Sequence, residues 1–154
     1  MRQLVVGLLV LVLQACASAV AGTPAPPTGR WLTASGNLEV VVAPCGDALC
    51  GTVARVVANH SMADPSVEMT DRPALGLTIL DRFTPSGADA WEGHIFNREN
   101  GKTYRCTLRL LDADQLEVHP YIGIHLIGQT QIWHRVPEPA AGAEPKAGAE
   151  PRVG

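Results

Sequence analysis

A chain of 154 residues, 18% of them charged and with a formal net charge of −3, fits one small domain with a mildly acidic surface. Without the first 21 residues, whose one basic group is Arg2, 11 basic residues stand against 15 acidic ones, or −4. No Lys/Arg cluster interleaves with aromatic residues, which argues against a nucleic-acid partner.

Residues 1–21 have the form of an export signal peptide: Arg2 supplies the positive start, Leu4 to Leu13 is an apolar run, and small residues follow through Ala21. That run is half of the roughly 20 apolar residues that a bilayer span needs. Two processing routes stay open. Ala19-Val20-Ala21 fits small-x-small cleavage, leaving Gly22 at the new N-terminus. Leu13-Gln14-Ala15-Cys16 looks like a lipobox, in which Cys16 is lipidated and holds the protein on a membrane. The expected location is periplasmic or secreted by the first route and a membrane-anchored lipoprotein by the second. Residues 22–27 read as a Pro-rich linker, extended and solvated. Residues 28–136 form the expected domain, which buries only roughly 65% of the surface its unfolded chain exposes. In 137–154, Ala141 to Lys146 (AGAEPK) recurs as Ala147 to Arg152 (AGAEPR), a low-complexity tail with no apolar set to bury.

Inside the domain, short apolar runs alternate with turn residues. They are Arg30 to Thr33, Leu38 to Ala43, Thr52 to Val57, Leu75 to Leu80, Trp91 to Asn97, Lys102 to Leu111, Leu116 to His119, Tyr121 to Ile127 and Gln129 to Val136. Their spacing, close to the roughly 8 to 12 residues of sandwiches and barrels, predicts an all-β domain. Ser35-Gly36-Asn37, Pro44 to Gly51, Pro85-Ser86-Gly87 and Asp112-Ala113-Asp114 are the expected turns. The long irregular stretch at 58–73 is expected to be a lid, a binding loop or a short helix.

The clearest signal is Trp91 to Leu111, two antiparallel strands joined at Arg98-Glu99-Asn100-Gly101. Asn-Gly takes the positive φ of a tight hairpin turn at least cost. From Lys102 onward, Tyr104, Cys106, Leu108 and Leu110 share one face, while Thr103, Arg105, Thr107 and Arg109 share the other. Cys45 and Cys50 flank a turn, where an oxidising compartment favours a disulfide worth roughly 2 kcal/mol. A metal site would need two further ligands, and a redox pair more usually has two intervening residues than four. Cys106 is expected to be a small buried hydrophobe, and a nucleophile only with a His beside it.

GRWLT (Gly29 to Thr33), CGDALCG (Cys45 to Gly51), DRPALGLTIL (Asp71 to Leu80), WEGHIFNRENGKTY (Trp91 to Tyr104) and YIGIHLIGQTQIWHR (Tyr121 to Arg135) together resemble the bacterial family called domain of unknown function 2147. Phe96 stands where Tyr is usual in that pattern, Arg98 where Pro is usual, and His119-Pro120 where an Arg-Gly or Gly-Cys pair is usual. The resemblance implies an exported small β-protein and leaves its chemistry open. A looser likeness is to lipocalins and their calycin relatives, which open with Gly-x-Trp and close with Arg, as Gly29-Arg30-Trp31 and Arg135 do here. It implies a small antiparallel up-and-down barrel of about eight strands, its first and last strands paired and Arg135 over the Trp31 ring. Closure also removes the sheet edges that an exported protein would have to protect.

Catalytic candidates are weak. His60, His94, His119, His125 and His134 show no metal-ligand spacing, and Asp64, Glu68 and Asp71 read as a solvated acidic loop. No nucleophile elbow, P-loop or dinucleotide fingerprint is present, so neither catalytic residue, metal nor cofactor is assigned. The leading expectation is non-catalytic binding of a small apolar or lipid-like ligand, with Tyr104, Cys106, Leu108 and Trp91 as its candidate contacts. An envelope interaction module with a filled core is the alternative, and an enzyme of unknown reaction the third. The distinction rests on whether the barrel interior is hollow, and oligomeric state is left open.

Overall fold

A computed structural model of the protein describes residues 23–62, 64–71, 73–123 and 128–138. Cys16, the leader and residues 139–154 lie outside them. Eight strands follow in chain order: β1 (Gly29–Leu32), β2 (Leu38–Cys45), β3 (Ala48–Val56), β4 (Thr78–Ser86), β5 (Ala90–Asn97), β6 (Lys102–Leu110), β7 (Gln115–Tyr121) and β8 (Gln131–Arg135). Each pairs antiparallel with the next, and β8 returns to β1, closing an up-and-down barrel. The described part of 58–73 is loop, with no helix.

Several boundaries differ from the expected runs. Of Pro44 to Gly51, expected as a turn, only Gly46 and Asp47 turn: β2 runs to Cys45 and β3 starts at Ala48, because Gly46 at φ 68° lets two residues reverse the chain. The fourth run continues to Ser86 because Arg82, at φ 51°, sits in a bulge where the register shifts between Asp81 and Thr84. The bulge interrupts the period of two that marks a strand. It also lays Phe83 against Gly93, where an added Cβ would come within 2.8 Å of the Phe83 ring. β7 runs through Pro120 to Tyr121, since beyond Val118 it pairs with β6 and no longer with β8. The run expected at Tyr121 to Ile127 is therefore not a separate strand in its described part, and 124–127 lie outside the described residues.

The β5–β6 turn falls at Arg98 to Gly101, yet as a four-residue loop closed by the Gly101 N–H donating to the Asn97 carbonyl at 2.9 Å. Gly101 has positive φ (68°) and Asn100 does not. Asn100 supports the turn with its side chain, accepting from the Lys102 N–H at 3.0 Å and donating to the Tyr104 hydroxyl at 2.8 Å. The Cys45–Cys50 disulfide spans the β2–β3 turn, with its Cα atoms 5.7 Å apart.

Because strands alternate in direction, the turns sort to two ends. The β2–β3, β4–β5 and β6–β7 turns share one end with the segments entering β1 and leaving β8. The β1–β2, β3–β4, β5–β6 and β7–β8 connections share the other. At the first end the seam closes through two paired positions, Trp31 with Arg135 and Leu32 with His134. The Arg135 guanidinium lies 4.1 Å from the centre of the Trp31 ring and donates to the carbonyls of Thr28, at 3.0 Å, and Ala113. Gly29 makes room for it: at φ 116°, a Cβ there would sit 2.5 Å from an Arg135 nitrogen. Trp31 Nε1 donates to the Pro27 carbonyl at 3.0 Å, and Pro27 is itself fully buried. The Pro-rich stretch thus packs on the barrel end, where a solvated linker was expected.

Replacing Gly29 with Ala should cost about 2 kcal/mol or more, from backbone strain and a displaced guanidinium. Urea unfolding measures it, and an unchanged midpoint would remove the seam from the account of stability. Cys45→Ser with Cys50→Ser should cost about 2 kcal/mol by the same assay, because the closed loop is short.

Candidate functional site

Inward residues of β5 and β6 meet as three rungs up the barrel: Trp91 with Leu108, Gly93 with Cys106, and Ile95 with Tyr104. The lower two rungs are packed solid. Leu108 and Cys106 are fully buried among Val40, Val42, Val53, Phe83, Leu116 and Val118. At the third rung the core stops and a cavity of about 490 Å³ begins. Its deep wall is apolar, formed by Leu38, Ile79, Ile95, Phe96 and Trp133, with Tyr104 beside them.

The loop after β3 folds over this open end as a small ribbon, with a bridge between His60 and Glu68. The Ser61 N–H donates to the Val67 carbonyl at 2.8 Å and the Met69 N–H to the Asn59 carbonyl at 2.7 Å. Neighbouring turns hold it in place. Asn37 Nδ2 donates to the His60 carbonyl at 2.8 Å, Arg98 donates to Asn59 Oδ1 at 2.7 Å, and Glu99 accepts from the Ser61 hydroxyl at 3.2 Å and from the Met62 N–H. His60 and Met62 thereby enter the cavity wall. Asp64, one of the acidic loop residues, accepts from the N–H and hydroxyl of Ser66, and these bonds hold its carboxyl below the usual carboxylate range.

On the outer face, Glu92 accepts from the Tyr121 hydroxyl and from Arg105, each at 2.5 Å. Burial and then the Glu92 carboxylate raise the Tyr121 phenol above the ordinary tyrosine value. Its contribution to stability is thus complete below that value and is lost as the pH rises past it.

The sequence candidates therefore fall in different places. Tyr104 is in the cavity wall. Trp91, Cys106 and Leu108 lie in the packed half, away from the cavity lining. Trp31 and Arg135 form the seam, and Cys45 and Cys50 staple a turn at the closed end. Burial pushes the Cys106 thiol up to about 12, which keeps it from serving as a nucleophile. Sequence reading missed Trp133, His60 and Met62 as wall residues. Trp133 shares one face of β8 with Gln131 and Arg135, opposite Ile132 and His134, and the other two lie in the stretch expected to be a lid, a binding loop or a short helix.

An eight-stranded up-and-down barrel, plugged at one end and hollow under a loop at the other, has the architecture of a calycin. Residues 29–135 match the family model described as "Uncharacterized protein conserved in bacteria (DUF2147)", and the chain belongs to that family. Among solved structures it is similar to protein HP1028 from Helicobacter pylori, described as belonging to the lipocalin family. The two are 17% identical, with a TM-score of 0.57, over 72% of this chain and 83% of that one, a likeness that shows the fold alone. No curated protein matches the chain.

In the native protein Cys106 should resist a thiol-specific reagent, reacting only as fast as the barrel unfolds. Rapid labelling without denaturant would mean that the packed half opens. Glu99→Ala should speed hydrogen exchange at the Met62 amide about tenfold by removing its acceptor.

Proposed function

We propose that the protein is a non-catalytic carrier or sensor of a small hydrophobic or lipid-like molecule in the bacterial cell envelope, held in the open half of the barrel. The observation that supports this most is the cavity. At about 490 Å³ it is within the roughly 300 to 1,000 Å³ of small-molecule sites, and its deep wall is apolar. A barrel of about eight strands can be filled by its own side chains or hold one ligand, and here each half does one of these. The Cys45–Cys50 disulfide fits an oxidising compartment outside the cytoplasm, where an apolar molecule needs shelter from water.

Organic extraction of protein purified from its native envelope, followed by mass spectrometry, should release one lipid-like compound near unit stoichiometry. A Leu38→Trp change, which projects an indole into the cavity, should abolish this yield while leaving the melting temperature within a few degrees. An empty wild-type protein that also fails to bind any apolar probe would favour the interaction-module reading.

A further inference from the structure

The mouth of the cavity is polar in a particular way. Four amides, Asn37, Asn97, Gln129 and Gln131, surround it with the imidazole of His60. The five residues come from the four junctions at the open side, Gln129 and Gln131 together from that between β7 and β8, so the collar is assembled by the fold. Part of its hydrogen-bonding capacity is already used: Asn37 donates to the His60 carbonyl, Asn97 Oδ1 accepts from the Glu99 N–H, and Gln131 Oε1 accepts from Trp133 Nε1. The complementary atoms, Asn37 Oδ1, Asn97 Nδ2 and Gln131 Nε2, have no partner among the described residues, nor does the Gln129 amide. His60 Nδ1 is buried with no partner.

The charged groups at the mouth are differently placed. Arg98 and Glu99 also line the cavity; each is bonded to the loop, through Asn59 and through Ser61 and Met62, and as neighbours of opposite sign they bring no net charge to the mouth. A ligand head group arriving here meets amide donors and acceptors, and an ionised one meets repulsion from one member of the Arg98–Glu99 pair as well as attraction from the other. An ionised head would lose its hydration without net compensation, whereas a neutral head that both donates and accepts would exchange water for the collar.

Resting on the binding role proposed above, we infer that the ligand is a single-chain amphiphile with an uncharged hydrogen-bonding head, such as a hydroxyl-rich or amide head. Its chain lies against Ile79, Ile95 and Trp133, and its head sits in the collar of Asn37, His60, Asn97, Gln129 and Gln131.

The test uses the full chain, with Trp133 fluorescence as the readout, and four probes of one chain length: a monoacylglycerol, the free fatty acid, the alkylamine and the methyl ester. The monoacylglycerol should bind about tenfold more tightly than either ionised probe. Gln129→Leu, on an exposed loop, should lower monoacylglycerol affinity about threefold and leave the methyl ester unaffected, with an unchanged melting temperature showing that the fold is intact. His60→Phe should act in the same direction. Equal binding of all four probes, or tighter binding of the fatty acid or amine, overturns this inference and leaves the ligand-binding role standing. If none of the four binds, the binding role fails and the inference falls with it.

Discussion

Closure of the barrel rests on the short seam between β1 and β8, where the fold has least backbone pairing and makes up the difference with one side chain. Arg135 stacks on Trp31 and donates to two carbonyls that no strand pairing satisfies, those of Thr28 and Ala113. A guanidinium suits this place because its planar fork can stack on a ring and bond sideways together, which a lysine ammonium cannot do. Gly29 is the condition for it, since any side chain there would occupy the space the guanidinium needs. With the seam shut, no edge strand is left for another chain to extend, and the interior becomes a space whose filling can vary along its axis.

The filling does vary, and the reason lies in β4. Its bulge at Arg82 turns Phe83 onto Gly93, and Leu80 lies against Gly51 in the same manner, so two large side chains enter the middle of the barrel where neighbouring strands have none. Together with Trp91 and Trp31 they complete a solid lower half. Above the Ile95–Tyr104 rung the interior is lined but not filled, and the space that remains is roofed by the loop after β3. The hollow is therefore set as much by backbone hydrogen bonds within that ribbon and by the Glu99 and Asn37 anchors as by apolar packing. Such a cover depends on a few exposed bonds and belongs to the less stable part of a protein.

Much of the architecture was legible in the sequence. Alternation from Tyr104 to Leu110 tells inside from outside, turn residues mark nine runs where eight strands form, and the calycin likeness of Gly29-Arg30-Trp31 with Arg135 implies eight strands whose two ends meet. Height along the barrel axis was not legible. Tyr104, Cys106 and Leu108 share one face by a period of two, but that period says nothing about which of them stands beside the bulge and which stands above it. Three of the four candidate contacts share that face of β6 and the fourth, Trp91, pairs with Leu108 from β5; of the four, Tyr104 alone is in the cavity wall. β4 escaped notice past Leu80 for a related cause, since a bulge erases the pattern by which a strand is recognised. The polar collar is equally hidden, because its members come from four separate junctions that only closure of the sheet brings together.

The segments entering β1 and leaving β8 emerge together at the plugged end, and this fixes an orientation. The nine-residue strand β6 extends about 30 Å along its own length, so the points where the chain enters β1 and leaves β8 lie at the end of the barrel away from the mouth. The cavity therefore opens like a cup on the side opposite its stem, and a change in the loops around the rim leaves the Arg135 seam at the base untouched.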